Sequence, residues 1–183
     1  MSIIFFSDLH GEVANLELFL QQPDVANAQW LIHCGDFFQD YHPLSPQEAL
    51  HLANLLNDHP AQKLSVRGNN DTLKQLDLFT FPTAQKSITE VIDSYSITLT
   101  HGHWGSAQSF APQSKSRNLW QIFVEGHTHV ARLYRDNKEI HLNPGSLSYP
   151  RSQLPPTYAT LKNKTLTIKA LHDGRVYFSE ILS

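Results

Sequence analysis

Short apolar runs and amphipathic segments alternate through the first third of the chain. Ile3-Ile4-Phe5-Phe6 is an uninterrupted apolar run with no polar face, the pattern of a strand buried on both sides in a parallel sheet. Val13, Leu16, Phe19 and Leu20 then recur at helical spacing and stop before Pro23. Trp30–Cys34 predicts a second strand. Ser45-Pro46-Gln47-Glu48 reads as a helix start, with a serine cap, a proline in the first turn and a glutamate three after the cap. Leu52, Leu55 and Leu56 carry that helix to about Asp58, and Leu64–Arg67 predicts a third strand. A β-α-β-α-β opening implies right-handed crossovers and a parallel core.

The texture changes from Lys86. Tyr95, Ile97 and Leu99 alternate with Ser96, Thr98 and Thr100, and Asp93-Ser94 can turn this strand back on Ser87–Ile92 as a hairpin. Ile122-Phe123-Val124 predicts another buried strand. Shorter strands follow near Arg132–Tyr134, Glu139–Leu142, Tyr158–Leu161, Thr165–Leu171 and Val176–Ile181, separated by polar turn residues. No repeat or linker interrupts the chain, so residues 1–183 are expected to form a single domain. The expected class is α/β: two sheets packed face to face with helices outside, parallel first and antiparallel later.

Composition narrows the function. Lys+Arg 14 against Asp+Glu 17 gives a net charge of −3, which provides no basic field for nucleic acid or an anionic membrane. Cys34 is the only cysteine, so a disulfide framework and a cysteine-rich zinc ribbon are excluded. The 11 histidines turn any metal chemistry toward imidazole and carboxylate ligands. The N-terminal apolar run is too short for a signal peptide, and no run reaches the ~18 apolar residues of a membrane span. The expected location is the cytoplasm.

Chemistry gathers at the ends of the strands. The first runs into Asp8-Leu9-His10, the second into Gly35-Asp36 and the third into Gly68-Asn69-Asn70-Asp71. Tyr95–Thr100 runs into His101-Gly102-His103, and Ile122–Glu125 into Gly126-His127-Thr128-His129. Each piece alone is a cap or a turn. Five such exits together are a metal site, because the carboxyl ends of parallel strands form the ligand crevice of open α/β sheets. The glycines are read here as allowing a sharp turn just past the strand.

The ordered set Asp-x-His, Gly-Asp, Gly-Asn-x-Asp, His-Gly-His and Gly-His-Thr-His resembles the calcineurin-like metallophosphoesterases, in particular their small bacterial phosphodiesterases. The resemblance runs from Ser7 to about Ser148 and includes Asn143-Pro144-Gly145-Ser146. It implies a four-layer α-β-β-α sandwich of two mixed sheets holding two divalent metal ions, about 3.5–4 Å apart in two-metal hydrolases generally. Carried over residue by residue, Asp8, His10 and His129 would take one ion and Asn69, His101 and His127 the other, with Asp36 bridging both. A bridging hydroxide would attack phosphorus in line. Manganese is the expected metal, with iron, zinc, cobalt or nickel also accepted by such ligands.

The chain departs from the wider superfamily at Asn70, where a histidine is usual and is thought to protonate the leaving oxygen. His103 is a substitute acid or a hydrogen-bond partner behind the ligands. Arg67 reaches substrate phosphate or forms a surface ion pair. Gln39 and Asp40 are read as loop residues. The implied activity is hydrolysis of small phosphodiesters. The alternative is a protein-interaction scaffold like the retromer subunit of this architecture, whose branch breaks the Gly-Asp and Gly-Asn positions that Asp36 and Asn69 keep here. Small members of the family often self-associate, so a homo-oligomer is also an expectation.

Overall fold

The structure is a computed structural model that describes residues 1–39, 43–113 and 118–182; Asp40 and His42 therefore lie outside the described residues. Its strands are β1 (Ser2–Phe6), β2 (Trp30–His33), β3 (Gln62–Ser65), β4 (Ser87–Ile92), β5 (Tyr95–Thr100), β6 (Trp120–Glu125), β7 (Arg132–Asp136), β8 (Glu139–Asn143), β9 (Thr157–Lys162), β10 (Thr165–Ala170) and β11 (Val176–Ile181). Its helices are α1 (Val13–Leu20), α2 (Pro23–Ala26), α3 (Pro46–Asn57), α4 (Leu73–Leu76) and α5 (Ala107–Phe110).

One sheet has the order β11-β10-β9-β1-β2-β3 and the other β4-β5-β6-β8-β7. Both are mixed. In the first, β1 and β2 and then β2 and β3 pair in parallel, while β9 returns antiparallel on the other side of β1. In the second, β8 inserts between β6 and the edge strand β7, parallel to β6 and antiparallel to β7. The two mixed sheets and the parallel opening are as the sequence implies, but β5, β6 and β8 also pair in parallel, so the later half is not antiparallel throughout. The late strands are shared between the two sheets, because hairpin partners need not end up as a sheet's only neighbours.

The face between the sheets buries Ile3, Phe5 and Ile32 from the first against Ile97, Leu99, Ile122 and Val124 from the second. The opposite face of β1, with Ile4 and Phe6, packs under α1 and α3 through Leu16, Phe19, Leu52 and Leu56. β1 is thus apolar on both faces because both are covered. The Ser45–Glu48 capping box forms as the sequence implies. Over the second sheet the outer layer is thin: among the described residues, the single turn α5 covers β5 and β6. The outward threonines of that sheet bond one another instead, as in the 3.0 Å contact between Thr89 Oγ1 and Thr98 Oγ1.

β3 begins and ends two residues earlier than the sequence suggests. The Arg67 N–H leaves the sheet to donate to the Gln85 carbonyl at 2.9 Å. No described helix is long and apolar enough to cross a membrane.

Ile122 is fully buried between the sheets. Ile122→Ala should lower unfolding stability by about 2–5 kcal/mol, read as a fall in the urea midpoint without a change in slope. A loss under 1 kcal/mol would mean that the inter-sheet core is not as tightly packed as described.

Candidate metal centre

Strand register sets the site. Phe6 pairs with His33 and His33 with Ser65, so β1, β2 and β3 end at one level. In the other sheet Thr100 pairs with Glu125, so His101 and Gly126 leave together. The five exit loops meet at the same end of the sandwich, and two groups of donor atoms form there: Asp8, His10 and His129, and Asp8, Asp36 and His101.

Within the first group, His10 Nε2 lies 3.1 Å from His129 Nε2, and Asp8 Oδ1 lies 3.3 Å from His129 Nε2. Within the second, Asp36 Oδ2 is 3.3 Å from His101 Nε2. That same oxygen is 3.7 Å from His10 Nε2, which places it between the groups. Asn69 Oδ1 approaches His101 Nε2 at 3.1 Å. His127 stands slightly apart: its backbone N–H donates to Asp8 Oδ2 at 3.0 Å, and its ring centre is 5.1 Å from that of His101.

The donor chemistry fits a cation. The Cys34 carbonyl can only accept, so at 2.7 Å it takes the proton of His101 Nδ1 and leaves Nε2 as a lone pair in the neutral ring. The Tyr149 carbonyl does the same for His129 Nδ1 at 2.6 Å. Lone pairs of His129 and Asp8, and of His101 and Asp36, therefore face one another, an arrangement that a cation between them stabilises. Asp8 Oδ1 is buried and finds no hydrogen-bond partner among the described residues.

Titration divides the histidines, with burial lowering His10 and His127 while His101 and His129 are raised. Burial pulls His101 and His129 down, but Asp36 and Asp8 outweigh it and raise both above the ordinary histidine range. Burial pushes Asp36 up, yet bonds from His101 and Asn70 hold it well below the ordinary carboxylate range.

Five of these side chains stand on left-handed backbone: Asp8 (φ 55°), His10 (50°), Asp36 (61°), His127 (66°) and His129 (59°). Each such residue costs about 1–3 kcal/mol and persists only where its surroundings hold it. Here the first two exit loops are laced together. Asp8 N–H donates to Gly35 O at 3.1 Å, Leu9 and His10 N–H to Asp36 O at 2.9 and 3.1 Å, and Gly11 N–H to Phe37 O at 2.8 Å.

Two of the glycines serve a purpose other than the turn expected of them. A Cβ on Gly68 would come within 2.0 Å of Asp36 Oδ1, and one on Gly126 within 2.1 Å of Ser7 Oγ and 3.0 Å of Asp8 Oδ2. Neither has a positive φ, so both are there to let backbone approach the carboxylates closely.

Asp71 was read from the sequence as part of a turn, but it organises the centre. Its Oδ2 accepts from Asp36 N–H and Gly68 N–H, both at 2.9 Å, and its Oδ1 from Phe38 N–H at 3.1 Å. It thereby clamps the β2 exit to the β3 exit. Burial and the charge of Asp36 raise its pKa to about 6. The sequence signal was present, since Asp71 closes the Gly68–Asp71 motif.

The other candidates fall into place around this clamp. Asn70 commits both its backbone N–H and its side-chain amide to Asp36, at 2.8 and 2.6 Å. His103 lies against Trp104 with ring centres 3.8 Å apart, and burial with His101 and His127 lowers its pKa to about 4. Arg67 donates through Nε to Asp71 O at 3.0 Å. Asn143 Nδ2 holds Gly126 O at 2.9 Å, and Ser146 Oγ donates to Asp8 O at 2.7 Å. A cleft of about 490 Å³ opens over the centre, lined by His10, Gln39, Asn69, Asn70, His129, Tyr149 and Arg151. Gln39, read as a plain loop residue, lies in that wall. Tyr149 and Arg151 went unread because they carry no motif and reach the cleft only through the fold.

Residues 1–166 match the calcineurin-like phosphoesterase superfamily domain. Phosphodiesterase YfcE of Escherichia coli K12 is 31% identical over 184 residues, covering 96% of this chain and 95% of its own. The solved structure of YfcE, a phosphoesterase from E. coli, has a TM-score of 0.81 at 27% identity and covers all of both chains. Vps29 of Entamoeba histolytica, solved in complex with zinc, has a TM-score of 0.65 at 19% identity over all of both chains, a likeness of fold alone.

Asp71→Asn places an NH₂ against backbone N–H groups that now share carboxylate oxygens. Metal affinity should fall about 10–100-fold, read by calorimetric titration. Exposed His172, remote from the centre in sequence and without a role there, should tolerate alanine with no change in affinity. Equal behaviour of the two variants would remove Asp71 from the clamp.

Proposed function

The chain belongs to the calcineurin-like phosphoesterase superfamily and is a hydrolase of phosphoric esters; we propose that it is a metal-dependent phosphodiesterase of the cytoplasm, contained in one domain over residues 1–183. The observation that carries this reading is the convergence of Asp8, His10 and His129 and of Asp8, Asp36 and His101 beneath an open cleft, with Asp8 Oδ1 unpartnered among the described residues.

Asp8, His10 and His129 would hold one divalent ion and Asn69, His101 and His127 the other, with Asp36 shared between them. When bound, two such ions supply the Lewis acidity that makes water a nucleophile and neutralises phosphoryl oxygens during in-line displacement. Manganese suits this mixture of imidazole, carboxylate and amide oxygen, and iron, zinc, cobalt or nickel are alternatives. With only two carboxylates in the set, the loaded centre keeps a net positive charge and draws in a phosphate anion.

The protein's own part is preorganisation. Asn70 holds both oxygens of Asp36 and so fixes the shared ligand. Cys34 and Tyr149 carbonyls fix the tautomers of His101 and His129. Water attacks phosphorus, the bond to the leaving oxygen breaks, and a monoester and an alcohol result. Asn70 has no titratable proton for that oxygen and is engaged with Asp36, so departure depends on the leaving group's own acidity. The scaffold alternative fits less well, because Asp36 and Asn69, the positions lost on that branch, both face the centre.

Chelated protein should lose hydrolysis of bis(p-nitrophenyl) phosphate, and added manganese should restore it. Full activity in protein shown by metal analysis to be empty would overturn the reading. In the loaded enzyme, rates should fall steeply across a series of poorer leaving groups. General acids typically supply ~10²–10⁴-fold, and Asn70→His should recover part of that on the poor leaving groups. If His103→Ala harms poor leaving groups most, His103 is the proton donor and the argument from Asn70 fails.

A further inference from the structure

We infer that Arg151 is a specificity residue, holding a second anionic group on the substituent that the phosphodiester retains after cleavage. This rests on the phosphodiesterase reading above. Arg151 lines the cleft beside His10 and His129, and among the described residues no carboxylate lines that cleft with it. Its side chain is exposed, and among the described residues no carboxylate pairs with it.

The backbone beneath Arg151 is fixed to the candidate metal ligands. Its N–H donates to the His129 carbonyl at 3.0 Å, while the Tyr149 carbonyl two residues earlier accepts from His129 Nδ1 at 2.6 Å. Ser148 Oγ donates to Leu9 O at 2.7 Å and Ser146 Oγ to Asp8 O at 2.7 Å, one residue and none from Asp8. The Tyr149 hydroxyl closes the loop onto the Glu12 carboxylate. The backbone of Arg151 is thus held at a set place on the rim, and its exposed side chain extends from there.

Charge decides what it binds. Two divalent ions, two aspartates, a hydroxide-like nucleophile and the single charge of a diester balance one another. The scissile phosphate leaves no negative charge over for Arg151. Its planar fork of donors matches a carboxylate or a phosphate on the rest of the substrate. Tyr149, edge-on to His10 with ring centres 5.8 Å apart, bounds the same side of the cleft and directs that substituent along it.

The test compares three diesters with one leaving group: p-nitrophenyl ethyl phosphate, p-nitrophenyl 2-carboxyethyl phosphate and p-nitrophenyl 2-phosphonoethyl phosphate. Manganese-loaded wild-type protein should show a KM about tenfold lower for at least one charged substrate than for the ethyl ester, the size expected of one charge-assisted contact. The better of the two charged arms tells carboxylate from phosphate recognition. In R151Q the ratio of KM values should collapse to about one, and R151K should restore part of it. Calorimetric titration of the loaded protein with ethyl phosphate and 2-carboxyethyl phosphate should show the same loss of discrimination without turnover.

Equal KM values in the wild type would overturn the inference. So would an R151Q variant that slows all three substrates by one factor, since Arg151 would then act on the scissile phosphate. If loaded wild type hydrolyses none of the three, the phosphodiesterase reading fails instead, and the calorimetric comparison still judges Arg151.

Discussion

Two buried carboxylates side by side are the constraint on which the rest of this structure turns. Asp8 and Asp36 are almost completely removed from solvent, and each faces histidine nitrogens whose partner protons are already given to backbone carbonyls. Burying such charge without compensation is costly, so the arrangement is stable only with protons or cations between the groups. The raised histidines, the depressed Asp36 and the unpartnered Asp8 oxygen are three expressions of one unmet demand for positive charge. Stability of the fold at this end and affinity for metal are therefore coupled.

Holding that arrangement takes local strain and local absence. Left-handed backbone at five candidate ligands turns their side chains inward immediately after straight strands. The lacing of Asp8–Gly11 onto Gly35–Phe37 and the Asp71 clamp keep those residues from relaxing. Where a side chain would intrude, at Gly68 and Gly126, there is none. The sandwich core supplies the rigid backing: the two sheets share one apolar face, so the strand ends cannot slide past one another without exposing it.

The sequence by itself determined the strands, the principal helices and the polar residues at five strand exits, while the choice of seven of those residues as candidate ligands came from the family resemblance. An apolar run without a polar face, a capping box and a strand-end Gly-Asp are local features, and local features can be read locally. Ile3–Phe6, Ser45–Glu48 and Gly126–His129 are of this kind, and the described structure builds each where its pattern lies. The same holds for the order of candidate ligands along the chain, because each lies in the exit of one of five strands.

What only the tertiary structure decided depends on neighbours distant in sequence. The return of β9 beside β1 and the insertion of β8 between β6 and β7 are pairing choices that no hydrophobic period encodes. Asp71 looks like a turn until Asp36 and Phe38, more than thirty residues away, donate to it. Arg151 and Tyr149 sit past the last motif and gain meaning only because His129 bonds their backbone. Even the two glycines read as turns prove to be clearances for carboxylates on other loops. Periodicity reports which face a residue presents, whereas the partner that meets that face is fixed by packing and hydrogen bonds across the whole chain.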